Sequence, residues 1–415
     1  MAVEAGYSKI ATSGSVFIYD TGDTINSYQG EPTTNLLPYS QQFDSWGAGD
    51  VVVTANATYA PDGTLTADFF RANNIASYHY IYQVISISSS TTYTFSCYVK
   101  PAGGFNGNTN TFFMQTNDGS WKNITFNLSS LSYSATAGTT GYVQPLANGW
   151  YRVGWTIPIA TGGSLYWYFY PTSNPSAETQ GGGYYIWGAQ LEQKSRMTQY
   201  LPTTTTSATR SNTQGLLDIS GGGNSINLAN VSFDANAQIV FDGTNDYIDV
   251  GYYSAVSNSL PRSWEVVVKP NTTLSYGGIF GNKLGYGCSY YCNGGIYLWD
   301  SNWVFNWYDN SSYQFLYSSI PATANTYAHV VGTYDPTDQK PRIYVNGVLR
   351  ATYGSATNLN YGGATYVIDI GYNSSGIPHF FNGVIPVAKY HNTRALTAAE
   401  VLSNFNHYKT RFNIT

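Results

Sequence analysis

Charged side chains are scarce in this chain. Its 18 Lys and Arg and 23 Asp and Glu make up 10% of 415 residues, with a net charge of -5, where an average globular chain carries about 25%. Cation runs that could neutralise a phosphate backbone are missing, so neither DNA nor RNA is an expected partner. Cysteine is nearly absent too: three over this length make no disulfide framework. Cys97 stands alone in a β-like run, and the Cys288-x3-Cys292 pair has no second Cys/His pair beside it, which leaves thiols, a local disulfide or a metal open. No stretch approaches the ~20 apolar residues of a membrane span. The start, Met1-Ala2-Val3-Glu4, has no basic region or apolar signal core, so a soluble product that stays in the compartment of its synthesis is expected. Helical periodicity is almost missing as well.

What is abundant points one way. Aromatics reach 16%, with 39 Tyr and 10 Trp, which excludes general disorder. Forty-two Gly, with Thr, Ser and Asn, punctuate short β-branched and aromatic runs, the pattern of an all-β sandwich. Strands are expected at 93–100, 150–158, 164–171, 184–191 and 263–269, and a hairpin over 340–352 turns on Asn346-Gly347. One short C-terminal helix is expected, capped by Thr397 with Glu400 completing a capping box. The Thr-rich segment 202–214 reads as a linker, and a weaker break lies near 28–34. About 170 residues lie between the two breaks and about 200 follow the second, one sandwich each.

The later segment carries Ile239-Val240-Phe241-Asp242-Gly243-Thr244-Asn245-Asp246-Tyr247-Ile248, Ser263 to Pro270, Tyr327 to Tyr334, the Ile343–Leu349 hairpin and Phe381 to Ile385 with Arg394 to Glu400. In this order these motifs resemble a laminin-G-like, concanavalin A-like jelly roll. In phage proteins similar to this one, that module opens with a strand like Ser13 to Asp20, followed shortly by a segment like Asp218-Ile219-Ser220-Gly221. The resemblance therefore implies a discontinuous domain, 1–30 plus 210–415, with residues 31–209 inserted in its first loop. The inserted segment is similar to carbohydrate-binding-module-like jelly rolls of phage virion proteins. It carries Thr34 to Asp44, Tyr93 to Pro101, Asn148-Gly149-Trp150-Tyr151-Arg152-Val153, Ile186 to Glu192 and Thr198 to Thr203.

Catalytic constellations are thin. The Glu-x-Asp-x-x-Glu strand of concanavalin-type glucanases is missing, and Asp246 and Asp249, three apart, would face opposite sides of a strand. His329 reads as a core histidine, and no nucleophile elbow or phosphate loop is present. The compact turn holding Asp242, Asn245 and Asp246 could take calcium or be an Asx-rich hydrogen-bonded turn. The resemblance places structural calcium there in some relatives, although Ile385-Pro386-Val387-Ala388 replaces their acidic partner region. Calcium is thus the single cofactor the sequence suggests.

Aromatics are the positive signal, since a Tyr or Trp ring can stack on a sugar's CH face while neighbouring amides bind hydroxyls. The candidates are Tyr166, Tyr168, Tyr170 and Tyr184 in the inserted segment, and Tyr290, Trp299, Trp303 and Trp307 in the other. Trp167, Tyr185, Tyr286, Tyr291 and Tyr308 belong to the same clusters. Core or inter-subunit packing is the alternative for each ring, and alternation sets Tyr166, Tyr168 and Tyr170 opposite Trp167 and Phe169. These features and the resemblance imply a non-enzymatic virion surface protein, a tail-fibre, tail-tip or head-surface adhesin that binds host-surface glycans. A structural virion component, such as a capsid decoration or tail-joining protein, is the second reading, and a polysaccharide depolymerase the third. The implied partners are other virion proteins, host glycans and further copies of the chain, without nucleic acid or membrane insertion; the implied location is the virion exterior, after synthesis in the host cytoplasm.

Overall fold

The computed structural model describes residues 12–73, 78–102, 110–171, 183–234, 238–253, 260–272, 276–283, 294–309, 311–359, 366–373 and 379–415. The chain is mostly β and forms two compact units, one of Met1–Pro32 with Ser211–Thr415, the other of Thr33–Arg210.

The first unit is a concanavalin A-like jelly roll of two packed sheets. One sheet runs Ser232–Phe233, Ile239–Asp242, Asn382–His391, Arg262–Pro270, Ala328–Tyr334, Arg342–Val345, Val348–Thr352. Ser15–Asp20 pairs antiparallel with Asn382–His391, Phe17 opposite Tyr390 and Asp20 opposite Val387. Asn224 also donates to the Val16 carbonyl at 2.5 Å. The opposing sheet runs Ile248–Tyr253, Tyr366–Ile370, Tyr276–Lys283, Gly294–Trp299, Asn302–Tyr308, Tyr313–Pro321. Phe17, Trp264, Phe280, Phe305, Trp307 and Tyr390 fill the space between them. In the hairpin, Val345 pairs with Val348 across Asn346 and Gly347, whose φ of 51° and 76° are the left-handed values such a turn requires.

The helix Ala398–Phe412 starts at Thr397, whose hydroxyl accepts from the Glu400 amide while the Glu400 carboxylate accepts from the Thr397 amide. Val401, Asn404, Phe405 and Tyr408, spaced for one helical face, are buried. Beneath that face Glu265 is sealed from solvent. It takes hydrogen bonds from Asn404 Nδ2 at 2.9 Å and His329 Nε2 at 2.9 Å, with Lys389 Nζ at 3.5 Å. Burial works to raise the Glu265 pKa, but Lys389 and the His329 hydrogen bond outweigh it and hold the carboxyl at about 2. Burial lowers His391 to about 4.

The second unit is also a sandwich. One sheet runs Ser132–Ala135, Trp121–Asn127, Thr111–Asn117, Gly163–Tyr170, Tyr80–Ile87, Gly47–Gly49; the other runs Thr140–Pro145, Tyr151–Ile159, Thr91–Pro101, Gly183–Glu192, Ala67–Ala72, Val51–Thr58. Phe95, Phe112, Trp155, Trp167 and Phe169 occupy the interior. The segment expected as a linker is more ordered than that. Ala208–Arg210 pairs with Thr33–Asn35, and Thr203 Oγ1 donates to the Leu37 carbonyl at 2.6 Å. Buried Glu192 ties both ends of the unit together, accepting from Thr33 Oγ1 at 2.7 Å, Gln190 Nε2 at 2.8 Å and Thr198 Oγ1 at 2.6 Å. A Thr-rich stretch can order because its hydroxyls donate to carbonyls and carboxylates that would otherwise be buried unpaired.

Acid stability follows from these two pKa values. Glu265 binds fewer protons folded than unfolded, so its contribution is complete above about pH 4.5 and is lost as pH falls toward 2. His391, neutral when folded, costs stability as the unfolded chain takes up its proton between about pH 6.5 and 4. Melting temperature should therefore decline in two stages on acidification. His391→Gln should shrink the upper stage, to which His379 and His407, also lowered by burial, contribute the remainder. Glu265→Ala should lower stability at pH 7 by about 3–5 kcal/mol, since it leaves Lys389 buried without its counter-charge.

Candidate functional site

In the strand Gly163–Tyr170 the pleat points Trp167 and Phe169 into the core and Tyr166, Tyr168 and Tyr170 to the opposite face. Register extends this outer face sideways. Tyr168 lies opposite Tyr82 on one side and Gln115 on the other, Tyr170 opposite Phe113, and Gln115 opposite Asn123. Trp121 lies opposite Asn117 at the far end.

The result is a continuous pavement of rings. Tyr166 and Tyr168 are parallel, centroids 5.7 Å apart at 10°. Tyr82 touches both at 5.5 and 5.7 Å, Tyr80 meets Tyr168 edge-on at 5.2 Å, and Trp121 lies 6.1 Å from Tyr168. At the sheet edge, Gly47 and Gly49 pair with Tyr82 and Tyr80, and a Cβ on either would sit 2.3 or 2.5 Å from the facing ring. Glycine there lets those rings lie against bare backbone. Tyr166 is 45% exposed and Trp121 55%, whereas Tyr170 is buried among its neighbours with its hydroxyl donating to Gln115 Oε1 at 3.0 Å. Burial first, then Tyr80, Tyr166 and Tyr82, raise the Tyr168 pKa, so the hydroxyl is a neutral donor and acceptor at physiological pH. Chemically this face offers flat apolar area studded with hydroxyls and the amides of Gln115, Asn117 and Asn123.

The other sequence candidates divide by side of the sheet. Tyr184 is a core residue, its hydroxyl donating to the Thr111 carbonyl at 2.9 Å, so it is removed from any ligand surface. Trp303, 2% exposed, and Trp307, fully buried, are core residues of the first unit, which corrects their reading as stacking rings. The reason is the turn at Asp300-Ser301, φ 46° and 62°, which pairs Trp299 with Asn302. Leu298 and Trp303 then share the inner face, and Trp299 is left on the outer one. Tyr290, with Tyr286, Tyr291, Cys288 and Cys292, lies outside the described residues.

Asp242, Asn245 and Asp246 form a turn bonded to its own chain. Asp242 Oδ1 accepts from the amides of Thr244 at 2.7 Å and Asn245 at 3.3 Å, and Asp246 Oδ2 accepts from the Asp242 amide at 3.0 Å. Both carboxylates are thus engaged as in an Asx turn. Among the described residues no three His, Cys, Asp or Glu side chains are gathered as a metal site. Alternation along the strand could have identified Tyr80 and Tyr82 as further members of the ring pavement, but Trp121 sits on a strand with little apolar periodicity and gave no such signal.

Two substitutions test this partition. Trp303→Ala should cost about 3–5 kcal/mol in denaturant unfolding, while Trp299→Ala should cost less than about 1.5. Gly47→Ala should destabilise by roughly 1–3 kcal/mol because the Tyr82 ring must move.

Among solved structures, similarity extends to domain 4 of AbnA, a GH43 extracellular arabinanase from Geobacillus stearothermophilus, in complex with arabinotriose. It shares 18% identity over 47% of this chain and 92% of that one, with a TM-score of 0.36. A CBM40 of the Ruminococcus gnavus IT-sialidase bound to α2,3-sialyllactose shares 12% identity over 35% of this chain and 83% of that one, TM-score 0.31. The NanB sialidase from Streptococcus pneumoniae shares 16% identity over 37% of this chain, TM-score 0.31, and the match spans only 27% of that sialidase. No curated protein sequence matches the chain. Residues 242–402 match the laminin G-type model described as the concanavalin A-like lectin/glucanases superfamily.

Proposed function

We propose that this protein binds glycans without cleaving them, through the outer face of the sheet that carries Gly163–Tyr170. The observation that carries the reading is the run of contacting rings Tyr82, Tyr166, Tyr168 and Trp121, of which Tyr166 and Trp121 are exposed and the other two half-buried, interleaved with neutral amides. Sugar rings present flat CH faces and hydroxyl edges, and this surface supplies area for the first and amides for the second. The lectin-type family match of residues 242–402 supports the same class of ligand. An extended surface suits several sugar units of a chain better than one small molecule.

Binding without turnover is supported by where the carboxylates go. Glu265 and Glu192 are sealed in hydrogen-bond networks, and Asp242 and Asp246 hold backbone amides. A hydrolase needs two carboxyl groups flanking a sugar bond, and the ring pavement is built from Tyr, Trp, Gln and Asn. The setting we propose, the exterior of a phage particle facing host-surface polysaccharide, with further copies and other virion proteins as neighbours, rests on the sequence resemblance to phage proteins.

Glycan-array screening followed by titration of the best polysaccharide tests this. Tyr166→Ala with Tyr168→Ala should weaken binding at least about tenfold, roughly 1.4 kcal/mol, with unfolding unchanged within about 1 kcal/mol. Undiminished binding by that double variant would remove the face from the reading. New reducing ends released from the bound polysaccharide would replace binding with hydrolysis.

A further inference from the structure

We propose that the unit of Met1–Pro32 with Ser211–Thr415 holds a second, independent sugar site, a cleft that takes one neutral terminal pyranose ring, at Tyr276, Trp299 and Phe315. This goes beyond the ring pavement, because it lies on the other unit and selects a chain end, not a chain segment. The cleft has a volume of about 220 Å³. A cavity of about 150 Å³ accommodates benzene, so this one has room for a single substituted six-membered ring.

Its walls follow from register. Tyr276 pairs with Trp299, and Asn306 pairs with Phe315, which places all four on the outer face of their sheet. Trp299 stands nearly perpendicular to both neighbours, 4.6 Å and 78° from Tyr276 and 4.8 Å and 67° from Phe315. The three rings thus make a corner, not a flat platform. His379 packs on Tyr276 at 5.3 Å.

Asn306 supplies the polar contact. It lines the cleft, is only 4% exposed, and among the described residues its Oδ1 has no hydrogen-bond partner. A buried carbonyl oxygen without a donor is unfavourable, and its own packing gives it none. A sugar hydroxyl is a donor that can also accept from the same amide, the pairing an Asn side chain offers. Among the described residues the lining contains no Lys, Arg, Asp or Glu. Burial keeps the His379 pKa below its ordinary value, so the described lining is uncharged at neutral pH. A neutral sugar fits these walls, whereas a carboxylated or amino sugar would lose hydration without a counter-charge.

The test is titration of the full chain with a panel of methyl glycosides of neutral hexoses and N-acetylhexosamines, read by tryptophan fluorescence and by ligand-observed NMR. At least one neutral glycoside should bind, with Trp299→Ala and Asn306→Leu each weakening it about tenfold or more. Tyr276→Ala, at an exposed ring, should weaken it without altering the thermal melt, which separates loss of contact from loss of fold. The Tyr166→Ala, Tyr168→Ala protein should bind the monosaccharide normally. No binding by any panel member up to about 100 mM, far above a millimolar affinity, would overturn the cleft while leaving polysaccharide binding at the other unit untouched. Binding that survives Trp299→Ala but disappears in the double tyrosine variant would also overturn it.

Discussion

A strand has two faces, and in a chain with so few charges that alternation decides where nearly every aromatic ring goes. Trp167 and Phe169 enter one core while Tyr166, Tyr168 and Tyr170 between and beside them turn outward. In the other unit Trp303, Phe305 and Trp307 enter the core and Trp299 and Phe315 turn outward. A surface with little charge relies on hydroxyls and amides for hydration, and Tyr, Asn and Gln provide these together with contact area. The same composition that hydrates the surface also supplies the contact area and hydrogen-bonding groups that the proposed sugar binding uses.

Some of the few charges serve as internal ties. Glu265 anchors the C-terminal helix to the sheet through Asn404, His329 and Lys389, and Glu192 closes the second unit through Thr33 and Thr198. Lys389 and the His329 hydrogen bond hold the Glu265 carboxyl ionised, and the donors around Glu192 fix that side chain in place. Such groups fix geometry, which supports the proposed reading of binding without turnover.

Much of the fold was legible because local chemistry and global pattern agree. Asn346-Gly347 dictates a hairpin, Thr397 with Glu400 a helix start, and the alternation in Leu165 to Tyr170 the inward and outward rings. Trp303 and Trp307 were not separable from Trp299, because their side depends on a two-residue turn at Asp300-Ser301 that lacks glycine. Tyr184 was obscure for another reason: Gly183–Glu192 is covered on both faces, so alternation carries no information about exposure. Segment 202–214 looked like a linker because its order comes from hydroxyl and guanidinium bonds, Arg210 donating to the carbonyls of Gln199 and Tyr200, and not from apolar burial. The corner at Trp299 arises from cross-strand register between residues distant in sequence, which no local pattern displays.

The central claim is that the tyrosine face is a sugar-contacting surface. The most direct measurement is a crystal structure of the protein with an oligosaccharide that it binds in solution. The account predicts sugar rings stacked on Tyr166, Tyr168 and Trp121, with hydroxyls on the neighbouring amides. An oligosaccharide bound elsewhere, with these rings left without sugar contact, would contradict it.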